Sequence, residues 1–168
     1  HLDYARDMFL FSFYTRGMSF IDMAYLKKSD LKNGIITYRR RKTGQQLTVK
    51  WEKCMEDIIA KYGENTATRY LLPIITNPCS DERPQYRNAI CRINVALKEV
   101  AGLAGLNIPL TMHVARHCWA SVAKSKNIPL SVIREGMGHD SEETTRIYLA
   151  SLDTSVVDKA NSLILKDF

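Results

Sequence analysis

The sequence predicts a mainly α-helical fold with one small antiparallel β-sheet, which is an α+β arrangement. Long segments repeat apolar residues with a helical period, and only two neighbouring segments are rich in β-branched and aromatic residues. A length of 168 residues with 45% apolar residues is sufficient for one hydrophobic core. We therefore expect residues 1–168 to form a single domain.

The first third of the chain should contain two helices and a β-hairpin. A mostly buried helix is predicted over residues 3–14, and a second short helix follows over residues 19–26. Strands are predicted over residues 35–41 and 46–51. The loop between the strands contains Gly44, which can adopt a positive φ in a tight turn.

The remainder is predicted to be helical, apart from a buried connector over residues 69–76 and a polar loop over residues 77–84. Cap residues set several of the expected ends, because Thr111 and Ser141 can begin helices and glycines can end them. The predicted helices cover residues 52–62, 86–104, 112–125, 129–135 (ended by Gly136), a segment after Ser141 that carries Tyr148, and 156–165.

Charge, cysteine content and hydropathy limit the possible partners and compartments. Lys and Arg number 24 against 18 Asp and Glu, and the net charge of +6 favours a polyanionic partner, although a solvated basic surface has the same composition. The four cysteines lack metal-ligand spacing, and Cys54, Cys91 and Cys118 lie in helical apolar patterns that predict buried, reduced thiols. No apolar stretch approaches the ~20 residues that a membrane helix needs. We therefore expect a cytoplasmic protein.

His113 and Arg116 are three residues apart and share one face of a predicted helix. The guanidinium of Arg116 can bind a phosphate through two parallel hydrogen bonds. His113 can donate to another phosphate oxygen or move a proton. The spacing alone also has a simpler explanation, which is surface charge beside a hydrogen-bonded histidine.

Gly138 precedes His139 directly, and Tyr148 follows nine residues after that histidine. The glycine permits a sharp turn that can direct the imidazole of His139 into a cleft. The phenol of Tyr148, with an ordinary pKa of about 10, becomes a useful nucleophile only beside cations or a base. Alternatively, Gly138 is only a helix cap and Tyr148 packs in or near the core.

The hairpin carries a further set of candidates, the run Arg39, Arg40, Arg41 and Lys42. Alternation along a strand would direct Arg39 and Arg41 to one side and the other two residues to the opposite side. One of these pairs could follow DNA phosphates, a type of contact that gives affinity without sequence specificity. The alternative for a lysine in a turn is simple solvation.

Together these motifs resemble the tyrosine recombinases of the phage integrase family. The shared order is a lysine in a β-turn, then His113-Val-Ala-Arg116-His, then Gly138-His139, and then Tyr148. The resemblance covers nearly the whole chain and implies the fold of the family's C-terminal catalytic domain. It also implies that the chain comes from a longer integrase of a mobile element, without the N-terminal DNA-binding domains.

The resemblance implies a reaction on double-stranded DNA that needs no ATP, metal or other cofactor. Tyr148 would attack a phosphodiester and form a 3′-phosphotyrosyl bond, while Lys42 protonates the departing 5′-oxygen. Arg116 and His113 would hold the phosphate, and His139 would donate a hydrogen bond to it. Isolated monomers would assemble into a tetramer on bacterial nucleoid DNA, with accessory DNA-bending proteins as possible partners.

One position departs from the family's pattern. The family's first arginine stands in a pattern such as Thr-Gly-Leu-Arg, but alignment on Asp22 places Ser19 at that position here. Arg16 lies three residues earlier, and Arg40 lies in the hairpin. Because a serine cannot replace a guanidinium, one of these arginines would have to supply the charge. We favour Arg16 on sequence grounds.

Three other functions are compatible with the same residues. A type IB topoisomerase would use the same covalent chemistry to relax supercoils, and a degenerate DNA-binding module would have lost the first arginine. A basic helical domain with coincidental motifs is the third possibility. The spacing from Gly138-His139 to Tyr148 and the five filled positions of the pattern favour the recombinase.

Overall fold

The computed structural model describes residues 1–63, 67–139 and 165. Within this part of the chain, six α-helices accompany one three-stranded antiparallel sheet, so the predicted α+β class is confirmed. The elements are α1 (Leu2–Tyr14), α2 (Phe20–Ala24), β1 (Leu31–Lys32), β2 (Ile35–Arg39), β3 (Gln46–Lys50), α3 (Lys53–Tyr62), α4 (Glu82–Leu103), α5 (Met112–Ser125) and α6 (Leu130–Met137).

The sheet consists of the predicted hairpin and a two-residue edge strand, β1, that the sequence did not reveal. Tyr38 on β2 pairs with Leu47 on β3, and both side chains face the core while their neighbours along each strand are exposed. β2 ends at Arg39, earlier than predicted, because the chain turns there. The turn is closed by a hydrogen bond from the Gly44 N–H to the Arg40 carbonyl oxygen (2.7 Å).

Most buried apolar residues form one core around α1, which packs against α3, α4 and α5. Met8 and Phe11 on α1 are fully buried at its centre. The connector over residues 69–76 lies along this core as predicted, with Tyr70 and Leu72 buried. A smaller apolar cluster joins α5 to α6, and Trp119 is partly buried against it. The two clusters fix α5 and α6 relative to the hairpin.

Three predicted helix ends were wrong. α2 ends at Ala24 rather than residue 26. α4 begins at Glu82 rather than residue 86, because the side chain of Asp81 caps its first turn. Pro84 is compatible with this start, since the backbone N–H groups of the first turn form no hydrogen bonds within a helix and the N–H that proline lacks is not needed there. α6 continues through Gly136 to Met137 and is capped by Gly138, which is the glycine that adopts the left-handed conformation (φ +66°). This difference at α6 places its cap directly before His139.

The cysteine prediction is partly wrong, because Cys91 is exposed and Cys54 and Cys118 are only partly buried. α4 turns Ala89 and Ile93 toward the core, which leaves Cys91 on its outer side. All four cysteines of the chain are free thiols in this structure. Within the described residues, no helix combines the length and apolar character needed to cross a bilayer.

The predicted helix that begins at Ser141 and carries Tyr148 lies outside the described residues. Of the helix predicted over residues 156–165, the structure describes only Leu165, which is helical and exposed.

Candidate active site

Arg116 on α5 lies between the loop after α1 and the end of α6. Its side chain is buried, with Nη1 donating to the Gly17 carbonyl oxygen (2.7 Å) and Nη2 to the Met137 carbonyl oxygen (2.6 Å). Gly17 has φ +71°, and a Cβ at that position would lie 2.8 Å from the Cα of Arg116. A glycine is therefore needed for α5 to approach this loop, and the two carbonyls fix the guanidinium.

Arg40 reaches the same end of α6 from the hairpin. It is 6% exposed, and its Nη1 donates to the carbonyl oxygen of Gly138, the residue after Met137. A Cβ on Gly138 would lie 2.8 Å from the Cδ of Arg40, so this glycine is required for both its backbone conformation and the space. Two consecutive carbonyls at a helix C-terminus, where the dipole is negative, thus hold two buried guanidinium groups.

His139 follows this helix end and is itself buried, with 5% of its surface exposed. Its backbone N–H donates to the Arg134 carbonyl oxygen (3.1 Å), which ties it to the last turn of α6. Burial is the main reason that the pKa of His139 falls to about 4. The positive charges of Arg116, Arg40 and Lys42 act in the same direction. The imidazole is therefore neutral near pH 7 and retains one N–H donor.

His113 occupies the first turn of α5 and is exposed. Its ring lies edge to face with the ring of His117, with centroids 4.8 Å apart. Partial burial lowers the pKa of His113, and the neighbouring charges of His117, Arg116 and Lys42 lower it further. His113 is therefore a neutral imidazole near pH 7 that faces solvent beside the buried Arg116.

Lys42 lies in the hairpin turn and is exposed. Its positive charge is among the causes that lower the pKa values of both His113 and His139. The structure thus brings five predicted residues together from three separate parts of the chain. They are Arg40 and Lys42 from the hairpin, His113 and Arg116 from α5, and His139 from the end of α6.

Arg16 has a different environment. It is half-buried with φ +61°, a left-handed conformation that is uncommon outside glycine. Its Cδ lies 3.7 Å from the position that a Cβ of Gly136 would occupy, one residue before the end of α6. Burial raises the pKa of Tyr38, and the charge of Arg16 is among those that oppose this rise.

The two flanking arginines of the hairpin are exposed, and so is Lys42, which alternation along a strand had placed on the same side as the buried Arg40. That prediction was wrong because β2 ends at Arg39 and the residues after it lie in the turn. The guanidinium of Arg41 lies 3.7 Å from the centre of the Tyr25 ring, a cation–π geometry. The backbone N–H of Arg41 donates to Oδ1 of Asp22 (2.9 Å). Arg39 lies along the turn and donates to its Gly44 carbonyl oxygen (3.1 Å). Both side chains carry surface charge next to the buried cluster.

Sequence reasoning missed the groups that hold these side chains. Ser19 caps α2, its hydroxyl donating to Oδ2 of Asp22 (2.6 Å) and accepting from the Asp22 backbone N–H (3.4 Å). The spacing of a serine three residues before an acidic residue, a helix-start signal, could have revealed this cap. The carbonyls of Gly17, Met137 and Gly138 leave no such signal, because any residue has a carbonyl.

The described residues do not complete the predicted set, since Tyr148 lies beyond them. Among residues 1–63 and 67–139, no three His, Cys, Asp or Glu side chains converge in a group that could bind a metal ion. What the arrangement offers chemically is fixed positive charge and neutral imidazole donors around one helix end, which suits an oxyanion.

Comparison with known proteins supports the resemblance to the phage integrase family. The profile of the phage integrase family matches residues 3–155. Tyrosine recombinase XerC of Thermodesulfovibrio yellowstonii is 28% identical over 144 residues, covering 81% of this chain and 46% of that protein. The chain spans less than half the length of the curated relatives that it matches.

Two solved structures share the fold. XerA recombinase superposes with a TM-score of 0.67 at 20% identity, covering 95% of this chain and 62% of that one. XerH site-specific recombinase in a post-cleavage complex with palindromic difH substrate has a TM-score of 0.66 at 20% identity, covering 94% and 45%. At these identities the similarity concerns the fold, and it confirms the predicted catalytic-domain architecture.

Proposed function

The chain belongs to the phage integrase family, and from this membership we propose that it is the catalytic domain of a site-specific DNA recombinase of a mobile element. The observation that carries the proposal is the end of α6, where Arg116 donates to the Met137 carbonyl oxygen, Arg40 donates to the Gly138 carbonyl oxygen and the buried His139 follows directly. Fixed cationic and hydrogen-bonding groups of this kind stabilise the charge that develops on a phosphate during in-line substitution.

In the proposed reaction, the phenolic oxygen of Tyr148 attacks phosphorus and the bond to the 5′-oxygen breaks. Tyr148 gives its proton to the neutral imidazole of His113, and Lys42 gives a proton to the departing 5′-oxygen. Arg116 and His139 donate to the non-bridging oxygens throughout. Because the 3′-phosphotyrosyl ester retains the bond energy, a 5′-hydroxyl of another strand can reverse the same steps and join new partners.

Double-stranded DNA is the proposed substrate. The net charge of +6 and the exposed Arg39 and Arg41 beside the site suit a phosphate backbone. The related XerH structure is a complex with a palindromic difH substrate, and a palindromic site implies more than one protomer on it. We propose a tetramer on DNA that forms from monomers, with accessory DNA-bending proteins as further partners.

Covalent trapping tests the proposal. Genomic fragments bound by the full-length protein are recovered, and duplexes carrying the bound sequence are nicked at successive positions so that the cleaved piece diffuses away. A protein–DNA adduct on a denaturing gel is expected with the wild type and not with Tyr148→Phe. Binding without any adduct would support a DNA-binding module, and relaxation of supercoils without strand exchange would support a topoisomerase.

A further inference from the structure

The position of Ser19 leaves the site one guanidinium short of the pattern that the sequence resembles. The structure gives this serine a complete local role, because its hydroxyl donates to Asp22 and caps α2. Its single O–H is therefore already used, and a neutral hydroxyl carries no charge to replace an arginine. If the site binds a phosphate with two guanidinium groups, the second must come from elsewhere.

Among the residues that the structure describes, no carboxylate acts as a counterion to the buried cation Arg40. It forms no ion pair within the described residues, and the Nε of its guanidinium is buried without a hydrogen-bond partner there. A buried charge of this kind is unfavourable unless something compensates it. The Gly138 carbonyl supplies only part of that compensation, through one hydrogen bond to Nη1. An anion at this place would supply the rest.

The position of Arg40 relative to Arg116 matches the requirements of a shared anion. Arg116 donates to the carbonyl of Met137 and Arg40 to the carbonyl of the next residue, Gly138. The two guanidinium groups are therefore anchored at consecutive residues of one helix end, and the positive charges of both lower the pKa of His139. Arg16, by contrast, lies against Gly136, within the helix rather than at its terminal carbonyls.

A second contact fixes the hairpin where Arg40 leaves it. Oδ1 of the buried Asp22 accepts from the backbone N–H of Arg41, the next residue (2.9 Å). Oδ2 of the same carboxylate accepts from Ser19 (2.6 Å). The residue that stands in place of the expected arginine thus orients, through Asp22, the strand that delivers Arg40.

We propose that Arg40 binds the scissile phosphate beside Arg116 and supplies the second guanidinium of the active site. This inference rests on the proposed function, since it names a further substrate-binding residue of the same site. It replaces the preference for Arg16 that the sequence suggested. Arg39 and Arg41, exposed on either side, would contact only neighbouring phosphates.

A neutral phosphate analogue separates charge neutralisation from a structural role. The full-length protein is given the nicked duplex either with an ordinary scissile phosphate or with an uncharged methylphosphonate at that position. Arg40→Ala is expected to form the adduct about 100-fold more slowly on the ordinary duplex. On the methylphosphonate it should recover most of the lost rate, because no negative charge remains to be neutralised. Arg40→Lys should be intermediate on the ordinary duplex.

Arg41→Ala is the matched control, since it removes one positive charge from the adjacent residue, and Arg16→Ala is the competing candidate. For neither of these two variants should the methylphosphonate selectively raise the rate of adduct formation. The inference is overturned if Arg40→Ala cleaves the ordinary duplex as fast as Arg41→Ala, if it is slow on both duplexes, or if Arg16→Ala is the variant that recovers. An absent adduct with the wild type would instead contradict the proposed function.

A measurement without cleavage tests Arg40 independently of that function. Inorganic phosphate is added at constant ionic strength, and the thermal midpoint of unfolding is compared with chloride. The wild type and Arg41→Ala should gain a similar increase, and Arg40→Ala should gain little, because ligand binding to the native state stabilises it. Equal increases in all three proteins would refute an anion site at Arg40. The same curves show whether each variant is folded.

Discussion

Two buried charged clusters in this molecule are built in opposite ways. Asp7 on α1 accepts from Lys61 (2.7 Å) and Tyr62 (2.6 Å) of α3 and from the neighbouring Arg6 (2.9 Å). Burial alone would raise the pKa of Asp7, but these hydrogen bonds bring it below its ordinary value. Arg40 is buried as deeply, yet among the described residues it has no carboxylate partner, only a main-chain carbonyl.

With the proposed role of Arg40, the difference separates charge used for folding from charge used to bind a ligand. The Asp7 cluster is satisfied by its own chain and joins α1 to α3, so its partners contribute to stability without any ligand. The cluster around Arg40 keeps its positive charge, which is unfavourable for the isolated protein and favourable when an anion binds. Changes in the first cluster should therefore affect unfolding, and changes in the second should affect catalysis.

Arg116→Ala should give the largest loss of rate and should separate the two clusters most clearly. Loss of one fixed donor to the phosphate typically lowers the rate by about 10²–10³-fold, and we expect a decrease of that size in adduct formation. Single-turnover measurements on the nicked duplex, with Asp7→Asn as the control that retains the wild-type rate, test this. A rate for Arg116→Ala close to that of the control would remove the distinction between the two clusters.

The stability of the wild type should depend on pH through His139. Its folded-state pKa of about 4 lies below the ordinary value of about 6.5, so the unfolded chain binds more protons between these values. The free energy of unfolding should therefore fall by about 3 kcal/mol as the pH decreases through this window. Urea unfolding at pH 7.5 and 4.5 should show a weaker dependence for His139→Gln; identical dependence in both proteins would argue against a neutral buried imidazole.

Asp7→Asn should lower the free energy of unfolding by about 1–2 kcal/mol at pH 7, since hydrogen bonds to a carboxylate are lost and two of its partners are partly exposed. The lowered pKa means that the contribution of Asp7 is present above the ordinary value near 4 and is lost as the pH falls through the folded-state pKa. The difference between wild type and variant should shrink in acid. A constant difference at all pH values would indicate a packing effect instead.

Comparison of Gly138→Ala with Gly44→Ala should give the smallest effect, which is a difference in the free energy of unfolding. Both glycines have positive φ, so backbone strain should lower the free energy of unfolding of each variant by about 1 kcal/mol. A Cβ at Gly44 meets nothing within 4 Å, whereas one at Gly138 would lie 2.8 Å from Arg40 and from Leu47. We expect chemical unfolding to show that the free energy of unfolding of Gly138→Ala is lowered by about 1 kcal/mol more than that of Gly44→Ala. Equal losses would mean that Arg40 can move aside easily.

The sequence predicted elements whose signals are local. The hairpin strands follow from β-branched residues on either side of a glycine turn, and Thr111 marks the start of α5 correctly. It failed where two local signals compete. Gly136 and Gly138 can each end a helix, and only packing against the hairpin decides that Gly138 does so. β1 has two residues, too few to show any period.

The candidate site was predictable in composition and not in arrangement. Lys42, His113, Arg116 and His139 follow from motif order, and the structure brings them together. The burial of Arg40 depends on a contact with a carbonyl 98 residues away, which no local pattern encodes. The role of Ser19 as a helix cap was also not predicted, because an arginine was expected at that position.

The order in which the chain is synthesised has a consequence for this site. The hydrogen bonds from Arg116 to Gly17 and from Arg40 to Gly138 span 99 and 98 residues. A ribosome releases the hairpin and α1 long before α6, so neither arginine has its full set of carbonyl partners until residue 138 has emerged. Tyr148 emerges later still. A nascent or prematurely terminated chain that ends before residue 137 therefore lacks both the carbonyl partners of these arginines at the end of α6 and the proposed nucleophile, and the proposed cleavage of DNA is restricted to longer chains.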